Sequence, residues 1–128
     1  MANLIIADDD PEILSLLELL LSRYHTIRTA TNGAQAIQLA EAEKPDLALL
    51  DYHMPGLNGD VLAKKCNDQK IPFMFITAES EWSTVQNIIS LGALAYLLKP
   101  FNPQLCVTTV DEALRLANER ISHSAACG

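Results

Sequence analysis

The sequence predicts an α/β protein built on one five-stranded parallel sheet. Apolar runs begin near residues 4, 26, 47, 73 and 95, so each strand-plus-helix unit takes a little over 20 residues. The segments between the runs carry apolar residues at helical spacing, with start and stop signals at their ends. Three runs, LIIA (4–7), LALL (47–50) and FMFI (73–76), are continuously apolar, as strands covered on both faces are. Strict alternation of strand and helix implies parallel pairing through right-handed crossovers.

Each element has a local reason. After the first run, Asp10-Pro11-Glu12 opens a helix: Asp10 caps it, Pro11 suits the first turn, and Glu12 faces the positive end of the dipole. Ile13, Leu16, Leu17, Leu20 and Tyr24 recur at helical spacing and are expected inward. The second run, HTIRTA (25–30), alternates polar and apolar, which suits an edge strand. Asn32-Gly33 then precedes a helix with Ala36, Ile37, Leu39 and Ala40 inward, ending before Pro45 because the residue before proline avoids helical geometry.

Residues 59–68 form a third helix with Val61, Leu62 and Lys65-Cys66 along it, and Pro72 introduces the fourth strand. Residues 82–91 form a fourth helix with Val85, Ile88 and Ile89 inward and Gly92 as its stop. A fifth runs from about residue 103 to 122, where Val107, Val110, Leu114, Ala117 and Ile121 mark its core face. That stripe lasts about two heptads, too short for a coiled coil. With strand two at an edge, the strand order is 2-1-3-4-5, the flavodoxin-like (βα)5 arrangement with helices on both faces. We expect one domain over residues 1–122. Residues 123–128 are either a short tail or the cut-off start of a junction to an output domain.

The order of strands makes a site. Ligands of open α/β sheets bind outside the carboxyl ends of the strands, at the point where the order reverses, here between strands one and three. The runs end there in Asp8 and Asp9, Asp51, Thr77 and Lys99. Clustered carboxylates repel one another and take up protons unless a cation compensates. A hard, oxygen-preferring ion fits; Mg2+ typically uses one or two carboxylates plus water and phosphate oxygens. Asp9 and Asp51 are the expected direct ligands, Asp8 acts through water or by holding Asp9, and the His53 backbone carbonyl completes the set. A carboxylate beside such a metal can accept a phosphoryl group as an acyl phosphate. Lys99 would pair with one phosphoryl oxygen, while the Thr77 hydroxyl and the Ala78 N–H would donate to others. Asp51 is central and is the expected nucleophile. Met54-Pro55-Gly56-Leu57-Asn58-Gly59 forms a tight turn directly after it.

The totals exclude other classes. The chain has 128 residues, 49% of them hydrophobic, enough for a real core. A formal charge of −7 argues against the domain itself gripping nucleic acid, since phosphate backbones need Lys and Arg. Cys66, Cys106 and Cys127 show no zinc spacing and read as free thiols in a reducing compartment. No apolar run approaches the roughly 20 residues of a membrane-spanning helix. No basic and apolar leader opens the chain. We therefore expect a soluble cytoplasmic protein without membrane contact. His25 and His123 read as surface residues, and Trp82 as a packing or partner-facing residue.

The motifs ADDDPEI (7–13), LALLDYHMPGLNG (47–59), FMFITA (73–78) and AYLLKPF (95–101) resemble the receiver domain of bacterial two-component response regulators, in the right order and over essentially the whole chain. The resemblance implies that Asp51 accepts a phosphoryl group from a phosphohistidine of a sensor histidine kinase or phosphotransfer protein. It implies Mg2+ at Asp8, Asp9 and Asp51, phosphoryl contacts from Thr77 and Lys99, and a cis Lys99–Pro100 bond. It also implies a switch in which Thr77 moves toward the phosphoryl group and the Tyr96 ring turns inward. The surface of helix four, strand five and helix five then changes for a downstream output domain or target. His53 and Glu79 take the positions that flank the hydrolytic water, where they tune dephosphorylation. Leu94 and Ala95 stand where many receivers that pair through this surface are acidic, which puts that charged dimer mode in doubt.

Two other functions compete. Asp8-x-Asp10 matches the start of an aspartyl-nucleophile phosphohydrolase pattern, but Glu12 stands where Thr or Val is wanted and Asp51 would lack a role. A receiver-fold scaffold working without phosphate is the other. A flavin carrier is weaker, because the first strand leads into acid and not a phosphate cradle.

Overall fold

The computed structural model describes residues 2–54 and 56–127, with side chains described through residue 119. The elements alternate: β1 (Asn3–Ala7), α1 (Pro11–Leu21), β2 (Thr26–Ala30), α2 (Gly33–Ala42), β3 (Leu47–Asp51), α3 (Gly59–Asp68), β4 (Phe73–Thr77), α4 (Trp82–Ser90), β5 (Tyr96–Leu98) and α5 (Pro103–Cys127). The strands pair in parallel in the order β2-β1-β3-β4-β5, the order expected from the alternating edge run. The fifth helix continues to Cys127, five residues past its expected end. The side chains of Ile121, His123 and Cys127 lie outside the described residues, as does Pro55 in the predicted turn.

Alternate residues of the strands feed two separate cores. Ile5, Ala7, Leu50, Phe73 and Phe75 face α2, α3 and α4 through Ala36, Ala40, Leu62, Cys66 and Ile88. Leu4, Ile6, Leu47, Leu49, Met74, Ile76 and Leu97 face α1 and α5 through Leu14, Leu17, Leu21, Cys106, Val110 and Ala113. Every residue of β3 and β4 is buried, which explains why both are apolar up to their last residues, Asp51 and Thr77. Fully burying one such Leu or Ile contributes about 1.5–3 kcal/mol.

The sheet corrects the predicted phase of several helices. In α1 the buried residues are Leu14, Leu17 and Leu21, whereas Leu16 is exposed; Tyr24 lies in the turn past the helix and is exposed too. In α4 Val85 and Ile88 are buried, but Ile89 is 60% exposed. Val61 of α3 also lies outside its core. The buried stripe of α5 runs through Cys106, Val110, Ala113 and Ala117, with Val107 and Leu114 at its margin. His25 is not a surface residue. Its Nδ1 accepts from the Ala2 N–H at 3.1 Å, and Nε2 lies 3.8 Å from Asp111 on α5.

The caps follow the sequence. Asp10 accepts from the Glu12 N–H (2.9 Å), Asn32 from Gln35 (2.8 Å) and Asn58 from Val61 (3.0 Å), each satisfying an otherwise orphaned donor. Gly56 and Gly92 take φ of 90° and 94°, the left-handed region that favours glycine.

Candidate functional site

The ends of β1, β3, β4 and β5 meet at one rim because their backbones are locked in register. The Tyr52 N–H donates to the Ile76 carbonyl (2.9 Å), and the Lys99 N–H donates to the Thr77 carbonyl (2.8 Å). The loop after Asp51 therefore follows β4, and Lys99 starts beside Thr77. The Lys99–Pro100 peptide is cis, as the resemblance implied.

Asp8, Asp9 and Asp51 each bring a carboxylate oxygen to within 4.8 Å of the others. Asp8 is fully buried and Asp51 is 5% exposed, whereas Asp9 is open to solvent. The Asp8 Oδ1 accepts from the Asp10 N–H (2.9 Å), and the Asp51 Oδ1 accepts from the His53 N–H (3.1 Å). The remaining oxygens turn to Lys99. Its Nζ stands 2.8 Å from Asp8 Oδ2 and 3.3 Å from Asp51 Oδ2. The 2.8 Å contact is an ion pair outside directional hydrogen-bond geometry.

Three carboxylates cluster here and one ammonium pairs with two of them, Asp8 and Asp51, so the site holds an excess of negative charge. The protonation of Asp51 reflects this. Burial pushes its pKa from 3.8 to about 6; the His53 N–H and Lys99 oppose the rise, and the Asp8 charge adds to it. For Lys99, burial acts downward, but the Asp8 and Asp51 carboxylates outweigh it and hold the ammonium above its ordinary value. A hard divalent cation fits this donor set: oxygen ligands, one of them exposed, with uncompensated charge.

Thr77 is fully buried, and its Oγ1 accepts from the Glu79 N–H at 3.0 Å. That leaves the hydroxyl proton for an acceptor at the rim. Ala78 is exposed beside it. The His53 Nε2 lies 3.3 Å from the Glu79 carboxylate, joining the loops after β3 and β4 across the mouth of the site. Tyr96 stands apart from this cluster on the edge strand β5. It is 37% exposed, and its register places it opposite Phe75, two residues before the Leu98 that faces Thr77. Trp82, at the first turn of α4, is 71% exposed and does not pack into the core.

Sequence reasoning missed one group. The Tyr52 hydroxyl donates to Asp60 Oδ1 (3.1 Å) and accepts from the Asn87 side-chain amide, which also donates to Asp60 at 2.9 Å. Tyr52 is adjacent to Asp51, but Asn87 lies 35 positions away in sequence. Nothing in the local pattern of α4 marks Asn87, so only the folded chain brings the two together.

Comparison with known proteins places the sequence and the fold in one family. The profile of the response regulator receiver domain matches residues 4–111. The chain is 34% identical to protein PilH of Pseudomonas aeruginosa over 124 residues, covering 89% of this chain and 98% of PilH. It is 38% identical over 119 residues to the response regulator GtcR of Aneurinibacillus migulanus, covering 91% of this chain but 49% of GtcR. Against the alkaline phosphatase synthesis transcriptional regulatory protein PhoP of Bacillus subtilis it is 36% identical, covering 88% of this chain and 48% of PhoP. The chain thus spans about half the length of GtcR and PhoP. Among solved structures, the chemotaxis response regulator CheY4 of Vibrio cholerae superposes with a TM-score of 0.83 at 26% identity, covering 88% of this chain and 98% of that one.

Proposed function

Since the chain belongs to the response regulator receiver domain family, we propose that it is a phosphorylation-controlled switch with Asp51 as its phosphoacceptor. The observation that carries this reading is the convergence of the Asp8, Asp9 and Asp51 oxygens within 4.8 Å, with Lys99 3.3 Å from Asp51. Asp9, Asp51 and the His53 carbonyl would hold Mg2+, with Asp8 supporting them. When bound, the ion neutralises phosphoryl oxygens and presents the phosphorus to the carboxylate.

An Asp51 carboxylate oxygen attacks the phosphorus of a phosphohistidine on a sensor kinase or phosphotransfer protein. The P–N bond breaks, its electron pair stays on the histidine nitrogen, and an acyl phosphate forms on Asp51. Lys99 follows a phosphoryl oxygen as a point charge. The Thr77 hydroxyl and the Ala78 N–H donate to the others. Hydrolysis by water returns the carboxylate and inorganic phosphate, and His53 and Glu79 flank that water's path. The protein acts on its own carboxylate and not on an external metabolite.

Phosphate contacts favour one of two states, and the equilibrium shifts by the difference in contact energy between them. Thr77 moves toward the phosphoryl group, the half-exposed Tyr96 turns inward, and the α4-β5-α5 surface changes. That surface addresses a downstream output domain or target, in the cytoplasm. The net charge of −7 argues against direct nucleic-acid binding. Among the described residues no helix is long and apolar enough to cross a membrane. We further propose that residues 1–122 are the receiver unit and 123–128 a C-terminal tail or the start of a junction to an output domain.

Asp51 is preferred over Asp8 as nucleophile. Both carboxylates rest one oxygen on a backbone N–H and turn the other to Lys99, but Asp8 is fully buried and 2.8 Å from Nζ, whereas Asp51 is 5% exposed and 3.3 Å away. Incubation with Mg2+ and beryllofluoride, followed by amide shifts, tests the reading. Responses at Asp51, Thr77 and Tyr96 that vanish in Asp51→Asn are expected. Sustained hydrolysis of phosphate esters that needs Asp8 and ignores Asp51 would instead establish a phosphohydrolase.

A further inference from the structure

We propose that Tyr52 is a positioning residue that couples the phosphoacceptor loop directly to α4 through its hydroxyl on Asn87, a route separate from Thr77 and Tyr96. The inference rests on the phosphorylation reading above and adds a connection to it.

Tyr52 is fixed at every group it has. Its N–H donates to Ile76 on β4, and its carbonyl accepts from the Gly59 N–H at 3.2 Å, at the start of α3. Its ring stands edge-on to Phe75 in the core, with centroids 5.1 Å apart, and to His53 at 5.0 Å. The ring lies so close to Gly59 that a Cβ there would come within 2.4 Å of Tyr52 Cδ1. The missing side chain at Gly59 is what lets the ring pass. At its far end the hydroxyl joins Asp60 of α3 to Asn87 of α4.

The residues on either side of Tyr52 belong to the site. Asp51 precedes it, and the His53 N–H that follows holds Asp51 Oδ1 at 3.1 Å. With its backbone bonded on both sides and its ring held between Phe75 and Gly59, Tyr52 passes a shift of its hydroxyl to the peptides around it. Displacement of α4 through Asn87 therefore acts on the His53 N–H and carbonyl. Displacement of that loop by a phosphoryl group on Asp51 acts on Asn87. The two directions are thermodynamically linked: whatever α4 contributes to the site, the site returns to α4. A second tether keeps α3 and α4 together, since Asn67 of α3 donates to the Leu91 carbonyl at 2.9 Å, at the end of α4. The middle of α4 is then held by the Tyr52 hydroxyl and its C-terminus by Asn67.

The test uses the full chain as wild type, Tyr52→Phe and Asn87→Ala. Tyr52→Phe keeps the ring on Phe75 and removes only the hydroxyl; Asn87→Ala reaches the same contact from α4 and serves if Tyr52→Phe fails to fold. Amide spectra are recorded without ligand and with Mg2+ plus beryllofluoride. Without ligand, Asn87→Ala should shift the Asp51 and His53 amides, a remote effect that simple loss of a surface contact would not give. With ligand, both variants should keep the responses at Asp9, Asp51 and Thr77 while the response across residues 83–89 falls by about half or more. Unchanged α4 responses in both variants, with the site responding normally, overturn the latch and leave the phosphorylation reading standing. Absence of a response at Asp51 in the wild type overturns both.

Discussion

Replacing Asp51 by asparagine removes a charge that the fold holds at a cost. Burial and the Asp8 carboxylate raise the Asp51 pKa from 3.8 to about 6, against the pull of the His53 N–H and Lys99. Between these two values the folded protein binds more protons than the unfolded chain. Stability associated with the protonated side chain is thus complete below about pH 4 and is lost as the pH rises through about 6. At about 1.4 kcal/mol per pH unit of displacement, the ionised form weakens the metal-free fold by about 3 kcal/mol above pH 7. The amide keeps an acceptor for the His53 N–H, and Lys99 keeps its ion pair with Asp8. Metal-free Asp51→Asn should therefore be more stable than wild type at pH 8 by about 1–3 kcal/mol. The gain should shrink to a few tenths of a kcal/mol near pH 4. Urea denaturation in a chelator at several pH values measures it. A variant no more stable than wild type at pH 8, or a gain that ignores pH, would refute the reasoning. Magnesium should reverse the ranking: at a hundredfold excess over Kd it stabilises a one-site protein by about 2.7 kcal/mol, and only the wild type keeps the ligand set.

Other substitutions probe the remaining parts of the site and its frame. Lys99→Met leaves Asp8 and Asp51 without their shared cation and should lower stability by about 1–3 kcal/mol at pH 8, with less effect at pH 5, where Asp51 is largely protonated; equal losses at both pH values would contradict the shared ion pair. Asp9→Asn should abolish the rise in Tm on adding Mg2+ while changing the metal-free Tm little, since Asp9 is exposed; calorimetry with and without the ion decides. Gly59→Ala places a methyl 2.4 Å from the Tyr52 ring and 3.0 Å from its carbonyl oxygen and should destabilise by about 1–3 kcal/mol through overpacking. A neutral result in urea would mean that the ring moves freely. Asn58→Ala removes the α3 cap on the Val61 N–H and should cost about 1 kcal/mol.

The sheet was legible because burial on both faces keeps β3 and β4 apolar up to Asp51 and Thr77 at their ends, and because Thr26 to Ala30, with Thr26, Arg28 and Thr29, is polar enough for an edge strand. The site residues were legible for a related reason: each stands at the last turn of an apolar run, where a parallel sheet opens to solvent. The facing of α1 was not. Leu14, Leu16, Leu17, Leu19, Leu20 and Leu21 surround that helix, so spacing fits several faces, and contact with β1 and α5 selects Leu14, Leu17 and Leu21. Ile89 fits the periodicity of α4 as well as Ile88 does, yet only Ile88 reaches the core. His25 was misread because its partners, the Ala2 N–H and Asp111, come from opposite ends of the chain. The Tyr52–Asn87 contact is illegible for the same reason, since a hydrogen bond between distant elements leaves no periodic trace.

The central claim is that one carboxylate becomes an acyl phosphate. The protein is incubated with a small acyl-phosphate donor in the presence or absence of Mg2+, and intact mass is followed by borohydride trapping and peptide mapping. A single phosphoryl addition that requires Mg2+ and maps to Asp51 is the predicted result. No addition, or addition that persists in Asp51→Asn, would contradict it.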